Sequence, residues 1–366
     1  MRVVHVSPTY FSPESLVGGG ERFAEELARA MSDRVSVKFV SFGRRAQRER
    51  LGDTYERVIL RSWTRSLMTP FSPSLLRELR GADVIHCHQY YVLPTFLACL
   101  FAAATHTAAF VSDLGGGSWT PAYQIDQSRW IVAHLAISQY AVRSLHGSNK
   151  RHRVVYGGVD LERYRMRPRL THDGSIVFLG RVLPHKGPHH LIEGLPAGTV
   201  LHVIGPATDG KYFDRLQALA SGKQVLFHRG LDDGEVVGFL QRAMALVHPT
   251  PVDASGNAGV HELFGLALVE AMACGCPVIA SRAASLPEIV EHGVNGMLVA
   301  PNSPEEIAAA VQRLARAPDL WKRVSSAARA TVEARFTWKA VTERCLAAYS
   351  EGRQLASGTP RATATA

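Results

Sequence analysis

Short apolar runs alternate with amphipathic segments along the chain, and this alternation is the first indication of its architecture. Residues 3–6 form an apolar, β-rich run, and the segment 21–31 places Phe23, Leu27 and Met31 on one face of a helix. Further strands of the first half are predicted at residues 35–42, 84–86, 110–112 and 135–138. Because strands alternate with helical segments, the pattern predicts a doubly wound α/β domain with parallel strands.

The strand–helix cycle begins again in the second half of the chain. It predicts strands at residues 175–180, 200–205, 225–228, 245–248, 277–281 and 296–299. It also predicts helices at residues 188–194, 303–335 and 337–351, and a turn-rich linker at residues 157–174. We therefore expect an N-terminal Rossmann-like domain, residues 1–165 with the returning helix 336–351, and a C-terminal one, residues 166–335. Residues 352–366 are small and polar, which predicts a disordered tail.

The composition is typical of a soluble globular protein and narrows the classes of function. Since the sequence contains no run of about 18 apolar residues, we expect no membrane-spanning segment, and the apolar window 92–104 is predicted to be a buried helix. The short apolar start of the chain does not match a signal peptide, which predicts a cytoplasmic protein. Five cysteines without a regular framework indicate free thiols.

The net charge of +9 favours anionic partners, either phosphorylated ligands or an anionic membrane surface. The densest basic cluster, residues 43–50, reads GRRAQRER and is predicted to be a solvated loop. The sequence contains no motif or aromatic–basic interleaving typical of nucleic-acid-binding proteins. We therefore expect no nucleic-acid partner, and a phosphorylated small molecule becomes the more attractive ligand.

One segment combines the features of a phosphate site with two acidic residues: residues 261–277, HELFGLALVEAMACGCP. Gly265 precedes an apolar helical run, and the start of a helix offers backbone N–H groups and a positive dipole end to phosphate. Glu270 lies inside that run, where a buried carboxylate could accept hydrogen bonds from a ribose diol. Glu262 lies before the helix, where it would meet the group attached beyond the phosphates.

The same segment resembles the donor site of glycosyltransferase family 4, whose hallmark is E-x7-E followed by an EAM-A-x-G-x-P-V-I-A motif. The resemblance extends over most of the chain, through residues 7–31, 82–88, 154–164 and 180–187. It implies two Rossmann-like domains facing a cleft (the GT-B fold), with a C-terminal helix that crosses back to the first domain. It also implies a nucleoside-diphosphate-sugar donor, retention of anomeric configuration, and no cofactor or catalytic metal.

The resemblance also implies roles for individual residues. Arg181 and Lys186, in the loop GRVLPHKG, would bind the donor phosphates and stabilise the leaving group, and Glu262 would orient the sugar for front-face attack. The remaining donor contacts that we expect are Gly18, Gly19, Gly20, Arg229, Gly230, Phe264, Gly265, Leu266 and Glu270. The nucleotide of the donor is left open among UDP, GDP and dTDP. The acceptor is left open among a sugar, a lipid-linked molecule and a natural product, with peripheral membrane contact as a further expectation.

One loop departs from the family pattern. Many relatives carry a histidine in a T-x-H-G-like loop, whereas residues 111–119 read VSDLGGGSW, with Leu114 at the expected histidine position. The neighbouring Asp113 is our candidate for a catalytic polar contact with the sugar or acceptor; the alternative is an aspartate that only caps the loop. His86 or His88 could substitute for the missing histidine, although histidines at a strand end are more often packed in the core.

Other classes of function remain open at this level. A nucleotide-sugar epimerase or a phosphorylase would share the fold, but the matched loops and the lack of an assignable cofactor lysine argue against them. A nicotinamide-dependent oxidoreductase would also suit alternating strands and helices. However, the glycine run is GGG instead of G-x-G-x-x-G, and no acidic residue follows at the required strand end. Leu114 keeps a binding module without activity as a further alternative.

Overall fold

The computed structural model describes residues 1–356 except 12–18, 65–68, 116–123, 144, 146, 150, 167–170 and 257–261. The chain divides into two compact units. The first unit consists of Met1–Gly158 together with Trp338–Ala366, and the second consists of Val159–Thr337. The sequence-based boundary after residue 165 lies a few residues later along the chain.

The first unit is built on an eight-stranded sheet with the order β3-β4-β2-β1-β5-β6-β7-β8. Its strands are β1 (Arg2–Phe11), β2 (Ser36–Gly43), β3 (Gln47–Leu51), β4 (Tyr55–Arg61), β5 (Val84–His88), β6 (Ala108–Ser112), β7 (Ala133–Ala136) and β8 (His152–Val154). Only β3 runs antiparallel to its neighbour; all other pairs are parallel. The predicted doubly wound architecture of this half is confirmed.

The described helices before the middle of the chain are α1 (Gly19–Ser32), α2 (Leu75–Leu79), α3 (Leu93–Thr105) and α4 (Gln139–Val142). The amphipathic face predicted for α1 is confirmed, since Phe23, Leu27 and Met31 are buried. Helix α3 is the predicted buried apolar helix, and Ala98 and Cys99 on it have no exposed surface. The two helices therefore supply apolar faces to the core of the first unit.

The basic cluster at residues 43–50 was expected to be a loop, but residues 47–51 form the edge strand β3. All five residues of β3 are exposed, so no hydrophobic alternation marks the strand in the sequence. Charged cross-strand pairs hold it instead. Arg48 donates hydrogen bonds to Glu56 at 2.7 Å and to the buried Glu78 at 2.6 Å.

The second unit contains a six-stranded, wholly parallel sheet with the order β11-β10-β9-β12-β13-β14. Its strands are β9 (Ile176–Leu179), β10 (Leu201–Ile204), β11 (Val225–His228), β12 (Ala245–His248), β13 (Val278–Ser281) and β14 (Met297–Val299). Its helices are α5 (Pro188–Glu193), α6 (Gly210–Leu219), α7 (Asp233–Arg242), α8 (Leu266–Ala273), α9 (Leu286–Ile289), α10 (Pro304–Arg316) and α11 (Pro318–Arg335). All six strands predicted for this half are confirmed.

The helical segment predicted at residues 303–335 is two helices. Helix α10 begins after Ser303, whose side chain accepts a hydrogen bond from the backbone N–H of Glu306, and it ends at Arg316. Helix α11 begins at Pro318, which has no N–H to continue the hydrogen bonds of the preceding helix. The apolar periodicity runs through the break, so the proline is the signal that separates the two helices.

The last described helix, α12 (Trp338–Ala356), belongs to the first unit, as the resemblance implied. Its Trp338 side chain donates a hydrogen bond to Glu26 on α1 at 3.0 Å. The helix continues beyond residue 351, so the tail predicted from residue 352 is wrong for its first residues. Gly352 explains this, because a Cβ there would overlap the ring of Phe110 and lie 2.8 Å from Val132. Residues 357–366 lie outside the described residues.

All five cysteines are buried and free, as expected. No described helix is long and apolar enough to cross a bilayer.

Two close contacts lie at the residues where the chain passes between the units. Within the second unit, Val159 and Thr337 form a β-bridge. Within the first unit, Gly158 packs so closely on the indole of Trp338 that a Cβ at this position would contact the ring at 2.5 Å.

Candidate functional site

Helix α8 begins with backbone donors that have no acceptor within the helix. Gly265 is its N-cap residue and has a left-handed backbone, with φ of 100° and ψ of 54°. The carbonyl of Gly265 accepts the first helical hydrogen bonds, from the N–H groups of Leu268 and Val269. The N–H groups of Leu266 and Ala267 therefore have no acceptor within the helix and lie at its positive end. This end of α8 can bind phosphate.

Glu262 is the centre of a buried polar contact just before α8. Its side chain is 8% exposed, and its Oε2 atom lies 2.6 Å from Nζ of Lys186 and 2.6 Å from Nε2 of His248. Its backbone carbonyl accepts a hydrogen bond from the hydroxyl of Ser285 at 3.1 Å. Lys186 follows β9 and His248 ends β12, and these strands are neighbours in the sheet. The carboxyl ends of two adjacent strands thus converge on one carboxylate.

These contacts fix the ionisation of Glu262. Burial alone would raise the pKa of this carboxyl, but the electrostatic attraction of Lys186 and His248 and the hydrogen bonds from both side chains outweigh burial. The pKa of Glu262 is therefore held well below its usual value. The carboxylate is ionised and its Oε2 lone pairs are engaged by two strong donors, which suits an orienting group better than a nucleophile.

The loop that carries Lys186 approaches the end of β12 through a glycine. Gly187 has φ of 69°, a left-handed conformation that favours glycine. A Cβ at Gly187 would overlap the carbonyl oxygen of Pro249, the residue that follows His248. The close approach of the two segments therefore depends on the absence of a side chain at position 187.

Arg181, the second predicted phosphate ligand, differs from Lys186 in its surroundings. It follows β9 directly and its side chain is exposed. Within the part of the chain that the structure describes, its guanidinium forms no hydrogen bond or ion pair. Arg181 is available for an anionic ligand, whereas Lys186 is engaged by Glu262.

Glu270 lies inside α8 and is half-buried, as the sequence predicted for a carboxylate on an apolar helix. The buried hydroxyl of Tyr164 forms a hydrogen bond with it. Burial, followed by the negative charge of Glu270, raises the pKa of Tyr164 above its usual value. A neutral tyrosine therefore supports the carboxylate that we expect to bind the ribose.

The other predicted donor contacts of the second unit are placed as follows. Phe264 is buried and packs edge-to-face on Phe336, with ring centroids 5.7 Å apart. Arg229 and Gly230 follow β11, and the guanidinium of Arg229 lies 4.9 Å from the ring centroid of Phe213. Because β10 and β9 separate β11 from β12, Arg229 and Gly230 lie away from the contact between Lys186 and Glu262.

The predicted residues of the first unit lie near its glycine run. Gly18 falls outside the described residues, and Gly19 and Gly20 form the start of α1, two residues earlier than the sequence suggested. Gly20 lies beside Leu114: a Cβ at Gly20 would be 3.5 Å from that of Leu114. Asp113 is half-buried, and its Oδ1 accepts a hydrogen bond from the N–H of Gly115 at 3.3 Å. The loop-capping role considered for Asp113 is therefore present.

His86 and His88, considered as substitutes for the family histidine, are buried in the core. The two ring nitrogens of His86 form hydrogen bonds with Ser112 at 2.9 Å and Tyr349 at 2.7 Å. Nε2 of His88 lies 3.0 Å from Nδ1 of His5. These contacts match the packing interpretation.

The three histidines of this core also have a spacing that a metal ion could bridge, because their ligand nitrogens lie within 4.8 Å of one another. Burial lowers the pKa of His5 to about 3 and lowers the pKa values of His86 and His88 well below 6.5. All three are therefore neutral at neutral pH. Since Ser112 and Tyr349 engage both nitrogens of His86, the arrangement is better explained as a hydrogen-bonded core.

The sequence did not reveal two residues of the site in the second unit, His248 and Tyr164. His248 ends the otherwise apolar strand β12, and a single polar residue at that position was the only available signal. Tyr164 lies within the resemblance at residues 154–164, which implies no role for it. Glu270, the partner of Tyr164, is distant in sequence, and Glu262 is separated from His248 by a segment without regular periodicity.

The fold defines the class of the protein. Two Rossmann-like units with a final helix that returns to the first are shared with GT-B glycosyltransferases. Among solved structures, Anabaena HepE in complex with UDP is similar, with a TM-score of 0.73, 20% identity, and coverage of 96% of this chain and 100% of that chain.

Two family models cover almost the whole chain. The model described as Glycosyltransferase Family 4 matches residues 17–163, and the model described as Glycosyl transferases group 1 matches residues 165–331. The protein belongs to glycosyltransferase family 4, among the group 1 glycosyl transferases. The family resemblance seen in the sequence is thereby confirmed.

Two curated relatives show how the similarity is distributed. The GDP-mannose-dependent alpha-(1-6)-phosphatidylinositol monomannoside mannosyltransferase of Mycolicibacterium smegmatis is 35% identical over 162 residues, which cover 39% of this chain and 41% of that protein. The GDP-mannose:cellobiosyl-diphosphopolyprenol alpha-mannosyltransferase of Komagataeibacter xylinus is 25% identical over 332 residues, or 83% and 81% of the two chains. The chain thus matches less than half the length of the first of these relatives.

Proposed function

We propose that the protein is a retaining glycosyltransferase that moves a hexose from a nucleoside-diphosphate sugar to a hydroxyl acceptor without a catalytic metal. The observation that carries this proposal is the buried contact of Lys186 with Glu262 immediately before α8. It joins a cation for phosphate and a carboxylate for sugar hydroxyls beside the helix end that can bind phosphate. Membership of family 4 supports the same donor class.

The leaving group accounts for the positive charges. As the glycosidic bond breaks, the nucleoside diphosphate gains negative charge, which must be stabilised. The exposed guanidinium of Arg181 offers bidentate contacts, Lys186 offers a compact charge, and the N-terminus of α8 offers backbone donors. These groups can stabilise the diphosphate with protein charges alone, so the proposed reaction needs no metal ion.

Glu262 has the role of holding the donor sugar. Its ionised carboxylate uses Oε2 for Lys186 and His248, which leaves Oε1 for a sugar hydroxyl. In the proposed front-face reaction, the acceptor oxygen attacks the anomeric carbon on the side from which the diphosphate departs. The diphosphate oxygen takes the acceptor proton. Configuration is then retained without a glycosyl-enzyme bond to Glu262.

The acceptor side is proposed from charge and from the relatives. Both relatives described above are named for lipid-linked acceptors that contain phosphate. In the first unit, Trp63 is 73% exposed, and Arg61, Arg44 and Arg45 are exposed as well. Arg44 and Arg45 follow Gly43, which pairs with Arg61 between β2 and β4. We therefore propose an anionic, lipid-linked acceptor and peripheral contact with an anionic membrane. Co-sedimentation with vesicles containing phosphatidylserine should exceed that with phosphatidylcholine alone and should fall with salt.

A donor screen tests the proposed activity. The protein is incubated with UDP-, GDP- and dTDP-hexoses and a panel of phospholipid and sugar acceptors, and the added hexose is detected by mass spectrometry. NMR of the product gives the anomeric configuration, and EDTA in a parallel reaction tests for a metal requirement. Thermal shift with the same donors and with NAD provides a measure of binding.

The outcomes separate the alternatives. Transfer with retained configuration that EDTA does not affect is the expected result. Stabilisation by NAD alone would support an oxidoreductase, and trapping of a hexose on Glu262 would replace the front-face reaction with a double displacement. Conversion of one nucleotide sugar into another without an acceptor would identify an epimerase.

A further inference from the structure

His248 is not needed for any donor contact proposed above, yet it is buried beside the central carboxylate. It is 2% exposed, and Nε2 lies 2.6 Å from Oε2 of Glu262. Donation to the ionised carboxylate requires the ring proton on Nε2. Within the described residues, the buried Nδ1 atom has no hydrogen-bond partner, so the contact with Glu262 is the polar anchor of this ring.

Lys186 has two competing partners in the proposed reaction. In this structure its ammonium contacts Glu262 at 2.6 Å, whereas the reaction requires a cation at the departing diphosphate. If Lys186 turns to phosphate, Glu262 loses one of the two donors on Oε2. A buried carboxylate that loses a charged partner is strongly destabilised unless another donor remains.

His248 can supply that remaining donor because its position is fixed. It ends β12, which is paired with β9 and β13 within the sheet, so the ring is held by regular structure. Lys186, by contrast, lies in a short turn, and its ammonium is at the end of a flexible side chain. The two donors on Oε2 of Glu262 therefore differ: the flexible side chain of Lys186 is free to turn away, whereas the more rigid His248 is not.

We propose that His248 is a positioning residue that keeps the carboxylate of Glu262 in place while Lys186 turns from Glu262 to the departing diphosphate. This inference rests on the proposed function. It divides the work between the two donors: Lys186 responds to the nucleotide, and His248 maintains the orientation of the group that holds the sugar.

Three substitutions at one position test the inference. In His248→Gln, the side-chain amide nitrogen reaches the location of Nε2, whereas in His248→Asn it reaches only that of Nδ1. His248→Leu removes all donors. We expect His248→Leu and His248→Asn to lower kcat by about 10- to 100-fold, the range for losing a hydrogen bond to a charged group. We expect His248→Gln to recover most of kcat.

Two further measurements distinguish positioning from a general structural role. The Kd for the nucleoside diphosphate should change by less than about threefold in all three variants, because His248 does not contact the phosphates. Among the described residues, Lys186 and His248 are the titratable groups that contact the Glu262 carboxylate. Loss of His248 removes both its charge and its hydrogen bond and therefore raises the pKa of Glu262. The acid limb of the kcat profile should move to higher pH in His248→Leu, and by less in His248→Gln, which keeps a hydrogen-bond donor but no charge.

The inference is overturned if His248→Leu retains the kcat and pH profile of the wild type. Equal losses of kcat and diphosphate binding in all three variants, including His248→Gln, would also overturn it. Failure of the proposed function is recognised separately, as the absence of hexose transfer by the wild type. In that case a crystal structure with bound UDP or GDP decides: Lys186 on phosphate with His248 still on Glu262 supports the inference, and Lys186 still on Glu262 refutes it.

Discussion

Nζ of Lys186 lies 2.6 Å from Oε2 of Glu262, although 76 residues separate them in the sequence. The contact is produced by the order of the sheet, since Lys186 follows β9 and the neighbouring β12 leads to the segment that contains Glu262. The cation that we propose for the donor phosphates and the carboxylate that we propose for the donor sugar are thereby paired.

Glu262→Gln should lower kcat more than it weakens donor binding, because the carboxylate orients the sugar in the reacting complex. We expect a loss of about 10²- to 10³-fold in kcat, as for removal of one group that stabilises a transition state. The Kd for the nucleoside diphosphate should change by less than about tenfold. Glu291→Gln, at an exposed glutamate of the same unit, is the matched control. Equal kinetics in both variants would place the site elsewhere.

Glu270→Gln should weaken donor binding instead of turnover. Loss of charge-assisted hydrogen bonds to a ribose diol is worth about 1.5–3 kcal/mol, or about 10- to 150-fold in Kd by calorimetry. Tyr164→Phe removes only the hydroxyl that supports Glu270, so its effect on Kd should be smaller. The Kd values of a 2′-deoxynucleotide and of the matching ribonucleotide are measured for Glu270→Gln and for the wild type. If the ratio of these two Kd values is the same in both proteins, Glu270 does not contact the ribose.

Gly187→Ala should damage the site, whereas Gly198→Ala should affect stability alone. Both glycines have positive φ, at 69° and 76°, so both variants carry a backbone strain of about 1 kcal/mol. Only a Cβ at Gly187 meets Pro249; at Gly198 nothing lies within 4 Å. We expect a lower melting temperature for Gly187→Ala than for Gly198→Ala, because only the first variant adds a steric overlap, and a lower diphosphate affinity for Gly187→Ala alone. Equal affinities would mean that the loop adapts.

Asp113→Asn separates a polar contact with substrate from loop capping. The asparagine oxygen can still accept the hydrogen bond from Gly115, while the negative charge is lost. We expect kcat/KM for the acceptor to fall by about tenfold or more, as for the loss of one charged hydrogen bond. Asp113→Ala should add a loss of stability in thermal unfolding. Wild-type kinetics in Asp113→Asn would leave loop capping as the only role.

The histidine core predicts how stability depends on pH. The pKa of His5 is lowered to about 3, and those of His86 and His88 are also well below 6.5, whereas the unfolded chain takes up these protons near pH 6.5. The unfolded state binds more protons, so the free energy of unfolding is fully retained above pH 6.5 and falls as the pH drops toward 3. At pH 5 the loss from His5 alone is about 2 kcal/mol, and His86 and His88 add losses of the same sign.

The measurement is urea unfolding between pH 7 and 5. The double variant His5→Leu/His88→Leu should flatten the dependence by up to about two protons. His106→Asn is the control, because His106 is exposed and asparagine tolerates its left-handed φ of 52°. An unchanged slope in the double variant would show that the core histidines do not set the pH dependence.

Hydrophobic periodicity accounts for most of the fold that the sequence predicted. The buried runs at β5, β6 and β12 alternate with helical faces such as that of α1, so their order was readable. The edge strand β3 could not be predicted from hydrophobic periodicity, because cross-strand pairs like Arg48 with Glu56 stabilise it without burying apolar surface. Such pairs depend on register, which a single sequence does not display.

The candidate site was predicted as a set of residues, but its contacts were not. The resemblance placed Lys186 and Glu262 on the same donor, and their direct ion pair followed only from the adjacency of β9 and β12. The sequence did not identify His248 and Tyr164 for a similar reason: a hydrogen bond between different structural elements leaves no local pattern. Orientation of a single buried side chain is decided by tertiary packing.

The short segments at the limits of the second unit have a practical consequence. Val159 is bridged to Thr337 within the second unit, and Gly158 lies against Trp338 within the first. The chain passes between the units at the peptide bonds 158–159 and 337–338. The ends of these two peptide bonds therefore lie side by side. In chain order, residues 159–337 are inserted into the first unit. We expect residues 159–337 to fold when produced alone, and residues 158 and 338 to tolerate rejoining by a short linker. Each half could then be titrated with ligands or exchanged between chains as a separate module.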